Sequence, residues 1–192
     1  VPNQTDDSVP QTRWPKNLTV TATVSAPSWN KVFAATAEGQ ILSATKPDTA
    51  DGTISQYQEL KSFAKPVMAL AWCDAQRFLV VALGDGACYL GKYRPGQEDW
   101  VWIGYQHTCP IQKLAIARTG DWFASWDEEG KLHLWDAELL VPVFELLQLV
   151  GGCLQLHTSE IGLHCQEPTG LWRTWRIPAS LASPATADLP RQ

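Results

Sequence analysis

Several residue sets in this chain have the types and spacing of reactive groups. His107, Ser125 and Glu129 are the three residue types of a hydrolase triad, where the His takes the Ser proton and the acid orients the His. The setting argues against that use. No segment supplies an oxyanion hole, and the acid sits in a tight turn rather than behind the His. Asp127, Glu128 and Glu129 are consecutive carboxylates that could hold a cation, but at a hairpin tip they read as a solvated turn. His133, His157 and His164 lack metal-ligand spacing and read as strand residues. Gly84-Asp85-Gly86 is a turn without the Lys and the helix of a phosphate loop. The five Cys (Cys73, Cys88, Cys109, Cys153 and Cys165) are odd in number and include no CxxC pair. Neither a zinc site nor a disulfide framework is expected from them, and reduced thiols suit the cytoplasm. No enzymatic activity, metal or cofactor is expected.

Composition narrows the partners. The chain has 192 residues and a net charge of −5, and its 15 Lys and Arg form no run. A nucleic-acid surface needs clustered cations, so none is expected. No stretch approaches the ~20 apolar residues of a membrane span.

The elements that must position these residues are strands. Alternation of apolar and polar residues is clear in LTVTATVS, VMALAWC, WVWIGY and KLHLWDA. Ala137 to Leu149 is ambiguous between helix and strand, with Pro142 weakening the helix. Residues 1–17 read as a polar leader or linker, 18–177 as the β region, and 178–192 as an Ala/Ser/Pro-rich tail.

The β region repeats. Acid-rich turns end in Gly39, Gly86, Gly130 and Gly170, which lie 47, 44 and 40 residues apart. Leu70, Leu114 and Leu154 share the last two offsets, and Trp135 aligns with Trp175. A period of about 40–45 residues with four strands per period is the signature of propeller blades. The expected fold is all-β: about four four-stranded antiparallel sheets, standing alone or as part of a larger ring.

Residues 107–146 carry a family resemblance. Gln106-His107 stands at a Gly-His position, Ser125 follows in a strand, Glu129 lies in the acidic turn, and Trp135-Asp136 closes the unit. This segment resembles a WD repeat. The resemblance implies a structural hydrogen-bonded relay of His107, Ser125, Glu129 and Trp135. The other three blades match it loosely. The second has Phe63, Val81 and Gly91 at the His, Ser and Trp positions; the fourth has Leu147 and Cys165 but keeps Trp175.

The expected function is a non-catalytic protein-interaction scaffold. A regulatory propeller of a larger signalling enzyme is the alternative, and a propeller hydrolase is the least favoured reading. One candidate binding surface is an acidic face made by Glu38, Asp85, Asp127, Glu128 and Glu167, which would take a basic segment of a partner protein. The other is the aromatic strand carrying Trp100 and Trp102, either as an exposed patch or as packing between blades. Self-association or a partner chain would complete a ring. In a self-closed ring, the leader around Val9 to Trp14 would add the outer strand of the last blade.

Overall fold

The computed structural model describes residues 12–48, 51–97, 99–106, 109–138, 141–146, 152–159 and 162–177. Among the described residues, fifteen strands form four antiparallel sheets, each a meander in chain order. The first blade is β1 (Val20–Ala26), β2 (Lys31–Thr36), β3 (Gln40–Thr45) and β4 (Gln58–Ser62). The second is β5 (Val67–Cys73), β6 (Phe78–Leu83), β7 (Ala87–Arg94) and β8 (Asp99–Gln106). The third is β9 (Ile111–Ile116), β10 (Trp122–Asp127), β11 (Leu132–Asp136) and β12 (Pro142–Leu146). The fourth has three strands among the described residues: β13 (Gln155–Ser159), β14 (Gly162–Gln166) and β15 (Trp172–Arg176). The ambiguous stretch after Ala137 thus contains a strand. Its Pro142 sits at the start of an edge strand, opposite Trp135 and beside a register shift.

The four repeat glycines occupy one turn, between the second and third strands of each blade. Their φ angles are 88°, 84°, 83° and 85°. Each glycine N–H donates to the carbonyl three residues earlier, on Thr36, Leu83, Asp127 or Glu167. Such φ values disfavour any residue with a Cβ, which explains why the repeat is read most clearly at glycine. The loop entering a blade is tied to the same turn. Gly84 N–H donates to Pro66 O at 3.0 Å, and Glu128 N–H to Pro110 O at 3.0 Å.

Each blade buries apolar faces against its neighbours. Phe33, Ile41, Leu79 and Val81 meet between the first and second. Phe78, Val80, Leu90, Phe123 and Trp135 meet between the second and third. Ala124, Leu134 and Leu163 meet between the third and fourth. The inner strands stand side by side in the order β1, β5, β9, β13. Hydroxyls link them: Thr21 Oγ1 donates to Val67 O at 2.7 Å, and Thr158 Oγ1 to Ile116 O at 2.6 Å. No apolar cluster joins the fourth blade back to the first among the described residues, so the blades form an open arc.

The two ends of the arc differ. On the first blade, alternation turns Val32, Ala34, Leu42 and Ala44 away from the second blade, yet all four are at most 4% exposed. Trp14 and Ile54 pack there. Arg13 holds this strap through paired backbone bonds, N–H to Gly52 O at 2.8 Å and O from Ile54 N–H at 2.9 Å. Among the described residues of the leader, Arg13 and Trp14 thus dock on the first blade. Residues 9–11 and the tail 178–192 lie outside the described residues. On the fourth blade, alternation leaves Gln155, His157, Ser159, His164, Trp172 and Thr174 on the far face, polar apart from Trp172.

Two expectations follow, both measured by denaturant unfolding. Gly39 and Gly170 share a backbone conformation but not surroundings: a Cβ on Gly39 would lie 2.3 Å from Phe63 O, whereas one on Gly170 meets nothing within 4 Å. Gly170→Ala should cost about 1 kcal/mol and Gly39→Ala about 2–4 kcal/mol; equal costs would contradict the packing. Trp14→Ala should cost about 2–4 kcal/mol by uncovering the first blade, and an unchanged midpoint would show that the strap seals nothing.

Candidate functional site

The relay residues of the third blade are only partly brought together. Ser125 and Trp135 are diagonal neighbours on β10 and β11, both buried, and the Trp135 indole N–H donates to Ser125 Oγ at 2.8 Å. His107 lies outside the described residues. The Glu129 carboxylate, half exposed, lies 3.1 Å from Lys131 Nζ. The Cys109 thiol first, then Lys131, holds its carboxyl below the usual carboxylate range. The acid turned inward is Asp127, which is fully buried. Its Oδ1 accepts the Lys131 N–H at 2.8 Å, and its Oδ2 lies 3.5 Å from His133 Nε2. Last residue of a strand and first of the turn, it can do what the longer, tip-placed Glu129 cannot.

That corrects the acidic face. Asp127 is interior, and Glu167, only 5% exposed, is the same position of the fourth blade. Arg173 donates to Glu167, as His133 approaches Asp127 one repeat earlier. Two of the five carboxylates thus serve the interior as partnered acids. A buried carboxylate without such a partner would be strongly disfavoured. Glu38, Asp85 and Glu128 remain exposed on their turns, and Asp85 also caps its own turn by accepting the Ala87 N–H at 3.1 Å.

The aromatic strand takes the packing role, one of the two readings open to it. Trp102 lies directly across from Gly91, where an added Cβ would sit 2.6 Å from the indole. Gly91 holds the place of Trp135 in the repeat, five residues after the turn glycine. The ring missing from β7 is therefore supplied by β8. Phe63 and Tyr89 stack beside it, with ring centres 4.6 Å apart, so the second blade has an aromatic cluster where the third has a polar bond. In the first blade Ala44 holds this place, and Trp14 covers it. Trp100 packs on Trp29, Phe33, Trp72 and Tyr93 between the first two blades.

The remaining reactive groups are mostly placed for packing. Cys73, Cys88, Cys153 and Cys165 are buried. Burial pushes the Cys153 thiol up to about 12, with neighbouring Cys165 adding to it. His157 and His164 stack across β13 and β14, 5.0 Å apart. Burial and then His164 lower the His157 pKa. Among the described residues, no group of three His, Cys, Asp or Glu side chains could hold a metal ion. No helix there is long and apolar enough to cross a membrane.

Sequence reasoning did not single out the axis of the arc. There the inner strands line an open groove of about 430 Å³. Val24, Leu70, Trp72, Leu114, Ile116 and Leu156 contribute apolar surface, with Ser25, His157 and Thr158 between them. Each inner strand is the edge of its sheet, so unpaired backbone groups also face the axis. The signal was present as the repeated leucines Leu70 and Leu114, but alternation alone does not distinguish an axis from an interior.

No protein-family model matches the chain, and no curated protein matches it. Solved structures do. The computationally designed Ika8 protein superposes with a TM-score of 0.61 at 19% identity, over 82% of this chain and 46% of that one. The Cps50 (Swd1) β-propeller domain of Myceliophteria thermophila superposes with a TM-score of 0.65 at 16% identity, over 83% of this chain and 51% of that one. The chain spans about half the length of each. The fold is all-β and built of β-propeller blades.

The Trp135–Ser125 bond is directly testable. Trp135→Phe and Ser125→Ala should each cost about 1–3 kcal/mol, and the double variant less than their sum, because the second change removes a group already orphaned. Thermal melts of the three variants check this; strict additivity would mean that the bond carries no coupling.

Proposed function

We propose that this chain is a non-catalytic protein-interaction scaffold whose axial groove takes an extended segment of a partner protein. The observation that carries this reading is the composition of the groove. Edge strands offer backbone donors and acceptors, and Leu114 and Leu156 offer apolar contacts beside them. A peptide presents both kinds of group in alternation, so strand addition along such an edge satisfies both at once. Rigid blades hold the lining in place, which lowers the ordering cost of binding. The exposed carboxylates Glu38, Asp85 and Glu128 add a negative field on the turn face, which favours a partner carrying basic residues. A propeller of which this arc is part, closed by a further chain or a second copy, is compatible with the same groove.

The test uses the full-length protein in its native source. A photo-crosslinking residue is placed at Leu114, Leu156 or the exposed Thr119, and affinity capture is repeated with Leu114→Lys and Leu156→Lys. The expected result is one polypeptide crosslinked from 114 and 156 but not from 119, and lost from both lysine variants. Its capture should also weaken with salt, because exposed charges are screened beyond about 8 Å at physiological ionic strength. Crosslinks from 119 alone, or capture indifferent to both lysines, would overturn the reading.

A further inference from the structure

A second recess lies away from the axis, between the first two blades. It is about 270 Å³ in volume and is lined by Trp29, Lys31, Ser43, Leu60, Arg77, Tyr93 and Trp100. Five strands and two connections build it. Trp29 lies in the short 3-10 turn Pro27–Trp29 before β2, and Lys31 opens β2. Ser43 and Leu60 come from β3 and β4, Arg77 from the turn after β5, and Tyr93 and Trp100 from β7 and β8. The site therefore exists only when the two blades are packed together.

Its chemistry is lopsided. Trp29, Tyr93 and Trp100 form a mutual wall, with ring centres 4.7, 5.7 and 6.1 Å apart and the rings edge-on or tilted. Leu60 adds an aliphatic surface. Two cations line the recess and no carboxylate does. The Arg77 guanidinium lies 5.7 Å from the Trp29 ring centre, held by a cation–π contact. Neither Arg77 nor Lys31 makes an ion pair with a described residue. Asp74 feels the Arg77 charge but spends its hydrogen bonds elsewhere, accepting from Trp72 Nε1 at 2.9 Å and Ser28 Oγ at 2.8 Å. Ser43 is 4% exposed, yet its hydroxyl makes no hydrogen bond to a described residue. That hydroxyl lines the same recess as the two cations and is free to donate into it.

The geometry points to a binding site for a carboxylate carried on a flat apolar body. The body would stack on the Trp29, Tyr93 and Trp100 wall. The carboxylate would accept from Arg77, Lys31 and the Ser43 hydroxyl. Arg suits this role because its planar fork matches a carboxylate. Such a group occurs both as a small aromatic acid and as an acidic residue beside an aromatic one in a polypeptide. The site is independent of the axial groove, and it prefers the charge opposite to that favoured by the turn face.

Four probes distinguish these cases: benzoate, neutral benzamide, a capped Phe-Glu dipeptide and its capped Phe-Gln analogue. Each is titrated into the chain while the indole N–H resonances are followed by NMR. The two acids should shift the Trp29 and Trp100 signals saturably, with dissociation constants below about 10 mM, and the neutral analogues should bind about tenfold or more weakly. Arg77→Gln and Lys31→Gln should each weaken the acids by a similar factor without moving the thermal midpoint. Lys31→Gln alone suffices if the Arg77 variant does not fold. Binding of the dipeptide but not of benzoate assigns the site to a partner's chain; binding of both assigns it to the small acid as well. No saturable shift with either acid, equal binding of the amides, or indifference to the folded Gln variants would each overturn the proposal.

Discussion

A small twisted sheet has two faces and can bury neither alone, so each blade needs a large apolar group against the one before it. Five residues after each turn glycine, one position faces that preceding blade. Trp135 and Trp175 fill it directly in the third and fourth blades. Gly91 leaves it empty in the second, and Trp102 reaches across from the outer strand. Ala44 leaves it short in the first, where no blade precedes, and Trp14 closes it from the leader. The volume is kept while the residue that supplies it changes. Interiors are packed too closely to tolerate a void of indole size, which makes the exchange understandable.

The same economy governs the polar groups. Asp127 and Glu167 are repeat-equivalent, and each meets a basic side chain from the following strand, His133 or Arg173. In the second blade the pair is replaced by Leu83 and Tyr89, which need no charge compensation. The polar Ser125–Trp135 bond has an aromatic counterpart in Phe63, Tyr89 and Trp102. At these repeat positions each blade uses one chemistry or the other. None of the described blades mixes a lone buried acid with an apolar neighbour, consistent with the cost of an unpaired interior charge.

These choices decide where a partner can act. Surface that looked available from residue type, such as Trp102, Asp127 and Glu167, is spent on holding blades together. What remains open is the axis, where edge strands cannot pair within their own sheets, and the recess where the first two blades leave a gap beside Arg77 and Lys31. Both are created by the stacking of blades rather than by any single one.

The amino-acid sequence by itself determined the strands, the repeat and the turns. Gly39, Gly86, Gly130 and Gly170 were legible because a left-handed φ admits little else, and alternation with a period of two marks a strand wherever it occurs. The Ser125–Trp135 bond was implied by the resemblance of residues 107–146 to a WD repeat, not by any local pattern of the residues. Only the tertiary structure decided which acids turn inward. Asp127 and Glu129 are two residues apart, and their fates depend on a strand end against a turn tip. It also decided that Trp14 seals the first blade and Trp102 substitutes for a missing ring. Those contacts join residues distant in the repeat, and their energy comes from filling a shared volume, which no local pattern encodes.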